Sequence, residues 1–114
     1  AHCVNARFFN IDGTEDDHVV DTTGLFSIDL PDLQYHFHTL DPNFVVNHAY
    51  NLASYLLANP EAIHSGDTVD GIAPATGAMC RDIQWRCQYE DALIQPVRPV
   101  LDVCPGPFAA GQRG

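Results

Sequence analysis

The sequence contains no lysine, and this absence accompanies a large excess of acidic over basic residues. Five basic residues face fifteen acidic ones, which gives a formal net charge of −10 and an isoelectric point near 4.6. A negative field of this size repels the phosphates of nucleic acids and the headgroups of anionic membranes. The composition therefore argues against nucleic-acid binding. It favours an acidic surface that keeps the protein soluble. The sharper interpretations are a basic partner, or an acidic or salty habitat.

Long hydrophobic runs are also missing. No apolar run approaches the ~18 residues that a membrane-spanning helix needs, so no membrane insertion is expected. The chain starts at Ala1 without a basic or apolar leader, which favours a mature form whose signal peptide has been removed. A hydrophobic content of 46% in 114 residues is typical of one globular domain.

The four cysteines occur without the close spacings of metal or redox motifs. There is no C-x-x-C pair, the spacing found in both metal sites and redox motifs. The shortest separation places six residues between Cys80 and Cys87. An even number of cysteines in a small chain is typical of an oxidising compartment. We therefore predict two disulfides formed by Cys3, Cys80, Cys87 and Cys104, with three connectivities left open, and a secreted, extracellular location. Free thiols or metal ligation are the alternative.

The spacing of apolar residues predicts an α+β fold, in which a small antiparallel β-sheet carries one main helix. Residues 42–58 repeat apolar side chains at helical spacing, after an N-cap candidate at Asp41 and a proline at the first helical position. Residues 3–11 and 82–90 show the alternation that indicates strands, and residues 18–20 are a candidate for the start of another short strand. Two disulfides are expected to hold this fold together.

Two further segments complete the predicted sheet. Residues 25–40 predict a hairpin about Pro31-Asp32, because that pairing puts every large apolar side chain on one face. Residues 93–103 contain two prolines, which favours an edge strand or an extended segment. The disulfide-stabilised domain is predicted to span residues 1–104, and residues 105–114 to form a poorly ordered tail.

His36 and His38 form the sharpest candidate site. On a strand, residues i and i+2 point to the same face, so two imidazoles at this spacing can share one metal ion. The alternative is a pair of ordinary solvated side chains on the polar face of the hairpin. A third ligand would have to come from the acidic stretch 12–17 or from His18, His48 or His64. No cofactor is expected, with zinc or copper at this pair as the alternative.

Motifs for other chemistries are incomplete. The acidic stretch 12–17 lacks the glycine position and the terminal glutamate of an EF-hand, so a solvated loop is favoured over a calcium site. None of the three serines lies in a G-x-S-x-G motif. His48 falls on an otherwise apolar helix face, which is typical of a core histidine. No catalytic residue is assigned, and the sequence leans towards a protein that is not an enzyme.

Two functional hypotheses follow. The first is a small secreted acidic protein that acts by surface recognition, as an effector, an inhibitor or a binding module. Its partner would be another protein, and its oligomeric state is left open. The second is a metal-binding protein or metal-dependent enzyme centred on His36 and His38. Metal content and metal titration distinguish the two hypotheses.

Overall fold

The sheet and one helix account for most of the described chain. A computed structural model describes residues 4–10, 17–38, 40–69, 84–91 and 99–105. Within these ranges, one long helix packs on a mixed sheet of six strands. The elements are β1 (Asn5–Asn10), β2 (His18–Thr23), β3 (Asp32–Phe37), α1 (Pro42–Ala58), β4 (Thr68–Val69), β5 (Trp85–Asp91) and β6 (Pro99–Pro105). The α+β prediction is confirmed.

The sheet is mixed rather than antiparallel throughout. Its strand order is β1-β2-β3-β6-β5-β4, and every neighbouring pair is antiparallel except β3 and β6, which run parallel. Parallel neighbours need a crossover connection, and α1 lies within the chain that joins these two strands. The prediction of an antiparallel sheet is therefore wrong at its central pair.

β6 lies inside the sheet. Of the two alternatives predicted for residues 93–103, the edge strand is therefore wrong for residues 99–103, and residues 93–98 lie outside the described residues. β6 pairs with β3 on one side and with β5 on the other. Pro99 is its first residue and Pro105 its last, and strand ends tolerate a proline because fewer ladder hydrogen bonds depend on its missing N–H. The prolines therefore bound the strand instead of placing it at an edge. The predicted tail lies outside the described residues, apart from Pro105.

The predicted hairpin over residues 25–40 is wrong in its first half. Phe26–Ile28 form a 3-10 turn, and β3 pairs instead with β2. The buried carboxylate of Asp32 accepts hydrogen bonds from the backbone N–H of Leu25 at 2.9 Å and from the hydroxyl of Thr22 at 3.1 Å. These bonds fold the connection back onto the start of β3, so this segment cannot extend as a strand.

The helix follows its sequence signals closely. Asp41 is the N-cap, and its carboxylate accepts a hydrogen bond from the backbone N–H of Asn43, with Pro42 at the first helical position. The helix ends at Ala58, directly before Asn59 and Pro60, because the residue before a proline disfavours the helical conformation. Its buried face consists of Phe44, Val45, His48, Ala49, Leu52, Ala53 and Leu56. Among the described residues, no helix has the length and hydropathy needed to cross a membrane.

The core lies between α1 and one face of the sheet. Trp85 of β5 is at its centre, with ring contacts to Tyr35, Phe44 and His48. Cys87 follows two residues later on the same face, as the alternation of this strand predicts. Tyr89 follows two residues after Cys87 in β5 and is 45% exposed, so the buried stretch of this strand ends before it.

Neither of the two described cysteines forms a disulfide. Cys87 faces the core, whereas Cys104 lies on the opposite face of the neighbouring strand, with its Sγ 3.3 Å from the carboxylate of Asp102. Burial is the main cause that raises the pKa of both thiols to about 12. Cys3 and Cys80 lie outside the described residues. Two disulfides would need all four sulfur atoms, so this prediction is corrected. The secreted location, which depended on it, remains an untested prediction.

Candidate metal centre

His36 and His38 lie on the face of the sheet that α1 does not cover. His36 belongs to β3, and His38 directly follows the strand. Their neighbours Tyr35 and Phe37 point the other way, into the core. The two imidazole rings consequently come together, with centroids 5.5 Å apart and planes inclined by 47°. This is the juxtaposition that the H-x-H spacing predicts.

Asp17 joins the pair from the start of β2. His18 is in register with Phe37, so the preceding residue, Asp17, comes next to His38. Its Oδ1 lies 2.7 Å from Nδ1 of His38 and 3.9 Å from Nε2 of His36. The sequence had pointed to the acidic stretch as one source of a third ligand. The structure selects the last residue of that stretch.

These three side chains offer a compact set of ligand atoms for one divalent ion. One carboxylate oxygen and two imidazole nitrogens lie within 4.8 Å of one another. In a tetrahedral zinc site, ligands at ~2.0–2.1 Å from the ion are about 3.3 Å from each other. The two distances from Asp17, 2.7 and 3.9 Å, fall on either side of that value. Modest rotations of these partly exposed side chains would bring all three atoms onto one ion.

The Nε2 atom of His36 gives a second, independent indication of a ligand. It is buried and has no hydrogen-bond partner within the part of the chain that the structure describes. Buried polar atoms almost always have a partner, and an unsatisfied one costs about 1–3 kcal/mol. A bound cation next to Asp17 would satisfy this nitrogen.

Asp102 adds negative charge on the same face of the sheet. It lies in β6 in register with Gln34, one step along the face from His36. Burial raises the pKa of the Asp102 carboxyl, while the contact with Cys104 and the nearby His36 lower it. Asp102 therefore lies near enough to His36 for the two side chains to interact electrostatically. Sequence reasoning missed it, because only the parallel pairing of β3 with β6 brings the two residues together.

The other three candidate histidines lie elsewhere. His48 is 1% exposed in the core, as predicted, and its Nδ1 is 2.6 Å from the hydroxyl oxygen of Tyr35. Burial lowers the pKa of His48 to about 4. His64 faces Asp67 at an exposed turn, with Nδ1 and Oδ2 3.6 Å apart. His18 packs against two phenylalanine rings. None of these contributes to the ligand set.

An open groove occupies the opposite end of the sheet. It lies between the 3-10 turn and the adjoining ends of β5 and β6, and its volume is about 370 Å³. Its described lining consists of Phe26, Asp29, Leu30, Pro31, Tyr89 and Pro99. Phe26 is 57% exposed and Tyr89 is 45% exposed, so two large aromatic side chains meet solvent at one place.

Comparisons with known proteins identify a family whose description states no activity. No curated protein and no solved structure matches the chain. A family model matches residues 21–104, which include His36 and His38 and begin four residues after Asp17. The match covers 84 of the 114 residues. The chain therefore belongs to the family described as a domain of unknown function, DUF4261.

Proposed function

We propose that this protein binds a divalent transition-metal ion through Asp17, His36 and His38. One observation carries the proposal: a carboxylate oxygen and two imidazole nitrogens lie within 4.8 Å of one another. Mixed nitrogen and oxygen ligands suit zinc, copper and other first-row divalent ions. Zinc is the ion for the test because its binding needs no redox control.

The charge distribution supports the same proposal. Two neutral imidazoles and one carboxylate compensate one of the two positive charges of the ion. The remaining charge is met by Asp102 on the same face and by the chain's net charge of −10. These negative charges favour the binding of a cation at this position.

Zinc should bind the purified, untagged chain with a stoichiometry of one, measured by isothermal titration calorimetry. Replacing His36 or His38 with alanine should weaken binding at least about 100-fold, because loss of outer-shell partners alone costs 10–100-fold. His64→Ala is the matched control, because His64 also faces a carboxylate but lacks a second imidazole. It should leave the affinity unchanged.

Two results would contradict the metal-binding proposal. One is the absence of zinc binding by the wild-type chain at neutral pH. The other is equal weakening by His64→Ala and His38→Ala, which would indicate diffuse binding by surface histidines. Copper should be titrated alongside zinc, because divalent copper generally binds nitrogen and oxygen sites more tightly.

Surface recognition is the second candidate function, and the groove is the observation that favours it. Exposed aromatic side chains are enriched where proteins bind one another. Phe26 and Tyr89 present such side chains across one concave surface, with Asp29 in its lining. The acidic lining residue and the net negative charge suit a basic protein partner.

The groove is tested by comparing matched aromatic variants in affinity capture. Wild-type protein should retain a partner that binds the groove. The double variant Phe26→Ala/Tyr89→Ala should bind that partner at least about tenfold more weakly, because buried aromatic anchors contribute about 2 kcal/mol or more. Tyr55→Ala is the control, since Tyr55 is 40% exposed on α1. A partner lost equally from the control would argue against recognition through the groove.

A further inference from the structure

We infer that the groove between the 3-10 turn and the ends of β5 and β6 binds an arginine side chain of a basic protein partner. The inference rests on the second proposed function, surface recognition, and names the group that the groove recognises. The guanidinium donates hydrogen bonds to the carboxylate of Asp29 and makes cation–π contacts with Phe26 and Tyr89. These three residues are separate from the ligand group of the candidate metal centre.

The sheet brings the walls of the groove together from segments that are distant in the sequence. Because Asp32 pairs in parallel with Val100, the preceding residues Pro31 and Pro99 come side by side. Tyr89 belongs to β5, which pairs with β6 on its other side. The resulting volume of about 370 Å³ is at the small end of the range for ligand pockets, so it suits a single side chain.

Hydrogen bonds hold the 3-10 turn in one conformation before any partner binds. The backbone N–H groups of Ile28 and Leu30 both donate to the carbonyl of Leu25, at 3.0 and 3.1 Å. The backbone N–H of Phe26 donates to the buried carboxylate of Asp32 at 3.3 Å. A wall that is already formed avoids part of the ordering entropy that binding costs.

Asp29 carries its side chain at a position where the backbone favours glycine. Its φ is 65° and its ψ is 25°, in the left-handed region. Its backbone N–H donates to the carbonyl of Phe26 at 3.2 Å, so the backbone closes the turn without the carboxylate. That carboxylate is exposed and lines the groove. Strained residues of this kind cluster at ligand sites, which favours a binding role for this side chain.

The chemistry of the lining favours a cation over an anion. The carboxylate of Asp29 and the net charge of −10 attract positive charge. Pro31 and Pro99 have no backbone N–H, so they offer an anion no hydrogen-bond donor. The exposed rings of Phe26 and Tyr89 have electron-rich faces that attract cations.

Arginine suits this lining better than lysine does. Its guanidinium is planar and weakly hydrated, so it can stack on an aromatic ring while its N–H groups bond a carboxylate. The ammonium of lysine is a compact, strongly hydrated charge that loses more hydration on entering a groove with aromatic walls. The groove therefore discriminates between the two basic side chains.

A blocked tripeptide with arginine between two glycines is the probe, and heteronuclear NMR spectra of the full chain are the readout. We expect this peptide to shift the backbone amide signals of Phe26, Asp29 and Tyr89 in a saturable way. A matched peptide with citrulline, the neutral isostere of arginine, should bind at least about fivefold more weakly. A lysine peptide should also bind more weakly than the arginine peptide.

Three variants locate the contact. Asp29→Asn keeps a residue that tolerates the left-handed backbone, and it should weaken binding of the arginine peptide at least about threefold but not that of the citrulline peptide. Glu61→Gln is the matched control, because it removes an exposed acid from a different groove, at the end of α1. Arg98→Gln is a second control, since Arg98 precedes Pro99 but lies outside the described residues. Both controls should leave the affinity unchanged.

Each other outcome overturns a defined part of the inference. Equal binding of the arginine and citrulline peptides would remove the role of charge, and equal binding of the lysine peptide would remove the preference for arginine. Equal weakening by Glu61→Gln and Asp29→Asn would indicate diffuse attraction to the acidic surface. Tighter binding by Arg98→Gln would show that the chain's own arginine occupies the groove.

Absence of saturable shifts with the arginine peptide would overturn the arginine site as a whole. Surface recognition fails by a different result, namely capture of a partner that the double variant Phe26→Ala/Tyr89→Ala retains as well as wild type does. The two failures are therefore distinguishable.

Discussion

Replacing Trp85 with alanine should lower the free energy of unfolding by about 4 kcal/mol, the range measured for truncating buried aromatic side chains. Trp85 is 1% exposed, and its ring contacts Tyr35 on the sheet and Phe44 and His48 on α1. Its removal would leave a cavity at the place where helix and sheet meet, and the surrounding rings belong to different elements that cannot all close onto it. Urea unfolding followed by circular dichroism measures the change.

Two control variants accompany this prediction, one conservative at the same position and one at an exposed position. Trp85→Phe keeps an aromatic ring and should cost less than half as much. Tyr55→Ala on the exposed side of α1 should change stability by less than about 1 kcal/mol. A loss below about 2 kcal/mol for Trp85→Ala would show that the core does not depend on this ring.

Acid should destabilise the protein through His48. Its pKa is lowered from 6.5 to about 4 by burial in the core, so the folded state keeps the ring neutral while the unfolded state takes up a proton. The stability that the neutral ring provides is complete above pH 6.5 and is lost as the pH falls towards 4. One pKa unit corresponds to about 1.4 kcal/mol, so this interval represents roughly 3 kcal/mol.

His48→Gln isolates this contribution, because glutamine does not titrate and can still bond the hydroxyl of Tyr35. Wild type should lose roughly 3 kcal/mol more than His48→Gln between pH 6.5 and pH 4. Carboxylates titrate equally in both proteins and cancel in the difference. His64→Gln is the control, since His64 is exposed at a turn. Parallel pH profiles for wild type and His48→Gln would contradict the assignment.

Local signals in the sequence predicted local structure well. The cap at Asp41, the proline after it and the apolar spacing define α1, because helix formation depends on residues within a few positions of each other. The alternation about Trp85 likewise defined β5. The prediction of a hairpin about Pro31 and Asp32 failed because alternation alone does not show which groups donate hydrogen bonds to a buried carboxylate. Asp32 folds the connection back instead of closing a turn.

The candidate centre was predictable only in part. The i, i+2 spacing of His36 and His38 places two rings on one face wherever the strand lies in the sheet. The choice of Asp17 depends on the register of β2 against β3, and the approach of Asp102 depends on a parallel pairing. The prediction of two disulfides failed because an even number of cysteines indicates only that disulfides are common in such chains. It does not show that Cys87 and Cys104 face opposite sides of the sheet.

The parallel pairing of β3 with β6 also has a consequence for how the chain folds. It joins Asp32 to Val100, which are 68 positions apart, whereas the pairings within β1-β2-β3 connect much nearer residues. Contacts that close long loops form more slowly than local ones. The two halves of the sheet should therefore take shape first and join late. Asp17, His36 and His38 all belong to the β1-β2-β3 half, so the proposed ligands should come together before the two halves join.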